Sequence, residues 1–186
     1  MNVPDVDRTM PGRVLVAYAT RGGSTRAAAE AVAAELRARG LEVSLTPAAE
    51  VRGLGDHGLV VLGTALYMGR WHRDARGFLA RHRGELAGRE VALFVLGPVR
   101  SPRDEGEWLN AQDQTDKELA RFPWLRPVAA RLFGGRFDPA TLPFPFNRLA
   151  AKEPASDALD LAAVRAWAGE LVGKVGTEPV AEPFPS

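Results

Sequence analysis

No cysteine occurs in the 186 residues. That absence excludes disulfides, cysteine-ligated zinc, iron–sulfur clusters and a thiol nucleophile, and it fits a cytoplasmic setting. An excess of charge of either sign is also missing. Lys and Arg number 24 against 23 Asp and Glu, a formal net charge of +1, so no global field favours a nucleic-acid partner. No apolar run approaches the roughly 20 residues that span a bilayer. The N-terminus is polar and carries Pro4 and Pro11, which does not match a secretion signal. Several motifs are absent as well. No lysine follows Gly22-Gly23 before Ser24-Thr25, which excludes a P-loop nucleotide hydrolase. No G-x-G-x-x-G follows the first predicted strand, no G-x-S-x-G occurs, and Gly63 stands where a phospho-acceptor receiver would need Asp. The three histidines, His57, His72 and His82, show no metal-ligand spacing, so no metal is expected.

What is present is ordinary for one globular domain: 46% hydrophobic and 25% charged residues. The chain is organised around Val14 to Thr25. Val14-Leu15-Val16-Ala17-Tyr18-Ala19 lacks polar alternation, which suits a central parallel strand covered on both faces. Thr20, Gly22, Gly23, Ser24 and Thr25 follow, then an alanine-rich helical pattern. Such a loop aims backbone N–H groups and hydroxyls at one point on the positive end of a helix, which makes a phosphate site. A plain strand–turn–helix connection with Ser24 as N-cap accounts for the loop equally well.

Residues 1–11 show no periodic pattern and read as a disordered lead-in; 12–175 form the domain; 176–186, with three prolines, read as a flexible tail. The first helix runs from Ser24 to Arg39 with Ala28, Val32 and Leu36 on its buried stripe, and Gly40 ends it in the left-handed conformation. A second strand, Leu41 to Thr46, alternates and reads as an edge; Gly58 to Gly63 and Val91 to Leu96 are apolar throughout and read as central. Thr64 to Trp71 reads as a loop, with a helix from near His72. Ser101, Pro102 and Asp104 read as the N-cap, first-turn proline and capping carboxylate of a further helix, in which Trp108, Gln112, Thr115, Leu119 and Phe122 share one face. Val128 to Phe133 is a fifth strand, an edge because of Arg131; 146–151 reads as a short helix, and Asp160 to Lys174 as the last one. Alternating strands and helices predict an α/β fold, a five-stranded parallel sheet with helices on both faces; with strand order 2-1-3-4-5, strands 1 and 3 flank the point where the order reverses.

In such a sheet ligands sit outside the carboxyl ends of the strands, where strand order reverses. Three unusual loops fall at such ends: Thr20–Thr25, Thr64–Trp71 and Gly97–Arg100. They suit a ligand with a phosphate tail and a flat ring held between two loops. Backbone amides near Gly69 and Gly97 reach ring heteroatoms, and Tyr67 or Trp71 offers a stacking face. The aromatics pack equally well over the sheet edge.

At these residues the chain resembles a known family. Tyr18 to Thr25 is similar to the phosphate loop of flavodoxins, which bind FMN. Ala19 to Thr25, together with Gly63 to His72 and the final helix around Leu161 to Trp167, resembles the flavodoxin-like, menaquinone-linked protoporphyrinogen dehydrogenases. The resemblance implies that Thr20, Arg21, Gly22, Gly23, Ser24 and Thr25 hold the FMN phosphate. It implies that Ala65, Leu66, Tyr67, Met68 and Gly69 line the flavin ring, with Gly97 and Pro98 on its other side. The flavin then carries the electron transfer and no separate acid–base residue is required; His72 beside it either touches a substrate or packs at the helix start. The implied function is an FMN-dependent oxidoreductase acting on protoporphyrinogen or a related reduced molecule, with a quinone as acceptor. The alternative is an electron carrier of flavodoxin type with no small-molecule substrate, although plain flavodoxins are strongly acidic and this chain is not. Arg70, Arg73 and Arg76 form a solvated helix face, the simpler reading, or a basic rim for an acidic substrate. Phe122, Trp124 and Arg126, with Phe144, Phe146 and Arg148, make a peripheral membrane contact that receives a quinone or a proline-rich lid over the sheet.

Overall fold

A computed structural model describes residues 12–97, 104–137, 145, 148, 155–175 and 184. Its frame is a parallel sheet of β1 (Arg13–Tyr18), β2 (Glu42–Pro47), β3 (Leu59–Tyr67), β5 (Glu90–Gly97) and β6 (Ala129–Gly134), in the order β2-β1-β3-β5-β6. That is the expected parallel order. A sixth strand, β4 (Arg70–Trp71), pairs antiparallel with the end of β3. A separate two-stranded ribbon joins β7 (Arg136–Phe137) to β8 (Ser156–Asp157), in a stretch where the sequence reads as turn and loop.

Two cores lie on the two faces of the sheet, as the period-2 alternation of strand side chains requires. Val14, Val16 and Tyr18 of β1 point to one face, against Ala28, Val32 and Leu36 of α1 (Ser24–Ala38) and Val164, Trp167 and Leu171 of α5 (Leu161–Lys174). Leu15 and Ala17 point to the other, against Ala75, Phe78 and Leu79 of α2 (Arg73–Arg81), Leu86 of α3 (Arg83–Leu86) and Ala111 of α4 (Glu105–Leu119). The apolar runs of β1, β3 and β5 are therefore double-sided, and β2, with Val43 and Leu45 only half-buried, is the wet edge. α1 ends at Gly40 with φ 86°, a backbone state that costs glycine nothing. Asp104 and Asp160 cap α4 and α5, accepting from Glu107 N at 3.1 Å and from Ala162 and Ala163 N at 2.9 and 3.0 Å.

The structure corrects the chain reading at one important place. The segment expected as a loop from Thr64 to Trp71 continues β3 to Tyr67 and folds back through Met68 and Gly69 into β4. Both turn residues have positive φ, 49° and 75°, as a tight two-residue hairpin turn demands. Of 176–186 only Phe184 is described. It is 4% exposed and packs with the α2–α4 core, and Gln112 Nε2 donates to its carbonyl. The expected helix at 146–151 and the lead-in at 1–11 lie outside the described residues, apart from Arg148.

Gly63, in the middle of the sheet beside Tyr18 of β1, faces the Phe94 ring so closely that any Cβ would overlap it. The Gly63→Ala variant is expected to lose about 1–3 kcal/mol of stability through overpacking, read as a lower urea midpoint with an unchanged slope.

Candidate functional site

β1 and β3 are neighbours, yet the helices that follow them cover opposite faces. The crevice between their carboxyl ends is thus left open. One wall is the loop after β1. Thr20 Oγ1 accepts from Gly23 N at 2.9 Å and braces the loop. Gly23 sits at the N-cap of α1 with φ 87° and ψ −13°, where a side chain would be strained. No side chain caps α1, so its first N–H groups remain available. Thr25 is fully buried and its Oγ1 has no hydrogen-bond partner. A buried hydroxyl left unpaired costs free energy unless something binds it. The wall thus carries the donors of an oxyanion cradle on the positive end of a 15-residue helix.

The Tyr67 phenol faces this cradle. Burial pushes its pKa up, while the backbone N–H groups of Arg21 and Gly22 and the Arg21 charge pull it the other way. A cavity of about 560 Å³ opens here, lined by Thr20, Arg21, Tyr67, Arg70, Trp71, His72, Arg73, Asp74 and Arg76. Its size falls within the range of small-molecule sites.

The opposite wall is the β3–β4 hairpin and the start of α2. Here the expected ring-lining residues divide. Ala65 and Leu66 are 7% and 5% exposed, belong to opposite cores and do not line the cavity. Tyr67 is half-buried, Gly69 forms the hairpin tip and Met68 beside it is 90% exposed. Trp71 is not a free stacking face: it is 1% exposed and stacks on Phe122, ring centres 6.1 Å apart at 6°. Gly97 ends β5 and its carbonyl accepts from Gly135 N at 3.0 Å. Pro98 lies outside the described residues.

Two residues hold this wall: Glu118, which the sequence reading left out, and Arg76, which it placed on a helix face or basic rim. Glu118 of α4 is 2% exposed. Its carboxylate accepts from Trp71 N at 3.2 Å, pairs with Arg121 Nε at 2.9 Å and lies 3.6 Å from Arg70 Nε. Arg76 donates from Nε to the Trp71 carbonyl at 3.1 Å. No periodicity announces a carboxylate at a buried helix position; only the cluster of basic residues at 70–76 hints that an acid must lie behind it. Phe122 and Trp124, expected to face outward, are half-buried and packed edge to face at 6.3 Å, with the Arg83 guanidinium 5.7 Å from the Trp124 ring. Phe144 and Phe146 lie outside the described residues. Among the described residues no helix is long and apolar enough to cross a membrane, and no group of three or more His, Asp or Glu side chains could hold a metal.

Comparison with known proteins places this arrangement. A family model described as a flavodoxin domain matches residues 15–153. Oxidised flavodoxin 1 from Bacillus cereus superposes with a TM-score of 0.56 at 14% identity, covering 87% of this chain and 97% of its own. A flavodoxin from Streptococcus pneumonia TIGR4 gives 0.54 at 17% identity, covering 88% and 99%. The rubredoxin oxygen:oxidoreductase of Desulfovibrio gigas gives 0.54 at 13% identity, covering 92% of this chain and 39% of its own. These likenesses are of fold. No curated protein matches the chain.

His72 gives the site a pH signature. Its Nδ1 accepts from Asp74 N at 3.2 Å and caps α2, which requires the neutral ring. Burial, first, pushes its pKa down; Asp74 opposes this, and Arg73, Arg21 and Arg76 push the same way as burial. The unfolded chain therefore takes up this proton at higher pH than the folded one, so stability is full above about pH 6.5 and falls below it. The urea midpoint is expected to drop between about pH 7.5 and pH 5.5. His72→Asn, which keeps a capping acceptor without a titrating ring, is expected to flatten that drop.

Proposed function

We infer the function from one premise: the chain belongs to the flavodoxin domain family. It is a flavoprotein of flavodoxin-like fold, its cofactor is FMN, and its work is electron transfer. Beyond that, we assign the flavin phosphate to Thr20, Arg21, Gly22, Gly23, Ser24 and Thr25, and the ring to the crevice bordered by Ala65 to Gly69 with Gly97 and Pro98 opposite. The observation that carries this assignment is the unpartnered Thr25 hydroxyl buried at the uncapped start of α1. A phosphate dianion there satisfies that hydroxyl, meets the free helical N–H groups and is stabilised by the helix dipole.

FMN, when bound, supplies the one- and two-electron chemistry. This chain's residues do the rest. The loop fixes the phosphate and so sets where the ring lies. The hairpin, pinned by Glu118 through Trp71, walls the crevice against water. His72, neutral at pH 7 on the cause given above, borders the cavity without adding charge.

We further propose an enzyme rather than a carrier: an FMN-dependent oxidoreductase that oxidises protoporphyrinogen or a related reduced substrate and passes the electrons to a quinone. The resemblance of Ala19–Thr25 and Gly63–His72 to the protoporphyrinogen dehydrogenases supports this reading. A peripheral membrane contact, delivering the quinone, belongs to the same proposal. The carrier reading is favoured if the flavin-loaded protein reduces a partner protein and turns over no small molecule.

The purified chain, incubated with FMN and desalted, is expected to be yellow, with the bound flavin's fluorescence quenched. Ser24→Glu combined with Thr25→Glu is expected to abolish retention, since two carboxylates would occupy the cradle and repel the phosphate. Unchanged affinity in a fluorescence titration overturns the phosphate assignment. Flavin-dependent turnover of protoporphyrinogen with menadione or a dye then tests the enzyme, and co-sedimentation with anionic vesicles at low salt tests the membrane contact.

A further inference from the structure

We propose that the hairpin–α2 wall of the cavity is a second oxyanion site, taking a small ligand with two or more carboxylate or phosphate groups, separate from the phosphate held at the α1 loop. The proposal rests on the reading of the α1 loop as the cofactor's phosphate site, and on nothing assumed about the substrate's skeleton.

The placement of charge carries it. Arg70, Arg73 and Arg76 gather at the N-terminus of α2, and Arg21 faces the same cavity from the opposite wall. A helix N-terminus is its positive end and favours acidic residues; cations there cost stability. α2 nevertheless places Arg73 at its first position and Arg76 one turn in, with Asp74 as the single acid of its first turn. Four guanidiniums and the His72 ring line the cavity against one carboxylate, Asp74. A solvated helix face would spread such charges outward; here they share one concavity.

The wall is also built to hold its charges in place. Arg76 is half-buried and anchored through Nε to the Trp71 carbonyl at 3.1 Å, which leaves its terminal nitrogens for the cavity. Arg70 is held from beneath by Glu118, a carboxylate that is itself 2% exposed and does not line the cavity. Only Arg73, with a side chain 84% exposed, is free to swing, and Asp74 lies 3.4 Å from its Nε. The Trp71 carbonyl fixes Arg76 and the buried Glu118 carboxylate attracts Arg70 from 3.6 Å, which keeps two guanidiniums on this wall for planar oxyanions. The cofactor phosphate does not use this wall. It carries a charge of about −2 at neutral pH, and the loop amides, the hydroxyls and Arg21 meet it across the cavity. Three arginines therefore remain for another anion.

The test uses the full chain loaded with FMN. Citrate and inorganic phosphate are titrated separately against sodium chloride of equal ionic strength, with tryptophan fluorescence and calorimetry as readouts. Saturable binding of either anion, with FMN retained, is expected; citrate alone assigns a carboxylate ligand and phosphate alone a phosphate ligand. Arg70→Gln, Arg73→Gln and Arg76→Gln combined are expected to weaken that binding about tenfold or more, while FMN affinity changes by less than about threefold. If the triple variant does not fold, the exposed single variant Arg73→Gln is expected to weaken binding about threefold. The proposal is overturned if neither anion binds above the chloride control, if the variants bind as the parent does, or if phosphate acts only by displacing FMN. Failure to take up FMN at all would instead defeat the cofactor reading, and citrate titration of the flavin-free chain would still decide this one.

Discussion

The constraint on which the rest depends is the pairing of β1 with β3, in register from Val14 with Leu59 to Tyr18 with Gly63. Two parallel neighbours whose following helices cover opposite faces must part at their carboxyl ends. The chain then has to turn away twice within a few residues, once through Thr20–Gly23 and once through the β3–β4 hairpin. Both turns rely on backbone conformations with positive φ, at Gly23 on one side and at Met68 and Gly69 on the other. The gap they leave exposes the uncapped start of α1. A ligand site here is thus a consequence of strand order, and the residues only decide its chemistry. Gly63 shows how tightly the order is enforced: with no Cβ it lets the Phe94 ring lie flat against the sheet at the point where the crevice begins.

The two walls are made differently. The α1 wall is covalently short, braced by Thr20, and backed by the alanine- and valine-lined face of α1. The hairpin wall mixes apolar and polar backing: Leu66 and Trp71 join the α2–α4 core and Trp71 stacks on Phe122. Behind it stand Glu118 and three buried polar atoms without partners: Trp71 Nε1, Gln114 Oε1 and Thr115 Oγ1. Replacing any of these by an apolar group would ease the desolvation cost. Gln114 and Thr115 lie with Glu118 on α4, and Trp71 on the hairpin strand β4, so the helix–hairpin contact carries polar atoms as well as apolar ones.

How much of this was legible in the sequence follows the same division. Buried strands announce themselves by unbroken apolar runs, and α1 by a stripe at Ala28, Val32 and Leu36, so the parallel sheet and the loop after β1 can be read directly, while the strand order comes with the family resemblance. The far wall resists reading because its signals are weak or misleading. Met68 carries no mark of a positive-φ turn, where Asn or Gly would have, so a hairpin looks like a loop. Around α4 the expected face of Trp108, Gln112, Thr115, Leu119 and Phe122 is fully buried only at Thr115, with Trp108, Leu119 and Phe122 partly buried against the core, while Ala111 and Glu118, outside that spacing, are buried beside Thr115. Hydrophobic periodicity finds a helix face only when that face packs on oil. Here it packs on the backbone of another strand. Phe184 is hidden for a related reason: one aromatic among prolines has no period, and its place under Gln112 is set by tertiary contact alone.

That asymmetry bears on how one fold serves different redox tasks. The cradle at α1 depends on backbone N–H groups and a helix dipole, which side-chain substitution barely alters. It can stay constant while everything around it changes. The hairpin–α2 wall depends on side chains: arginines at the cavity, Glu118 and the carbonyl of Trp71 behind them. Exchange of a few of these residues would reverse the charge of the opening without touching either core, because Arg70 and Arg73 contribute nothing to the packed clusters. A chain of this architecture can therefore keep its coenzyme and change what the coenzyme meets. In this protein the variable wall is strongly cationic although the whole chain is nearly neutral. Charge that is balanced globally and unbalanced at one concavity is held there against helix-dipole repulsion, and an anion bound in the cavity would offset that cost.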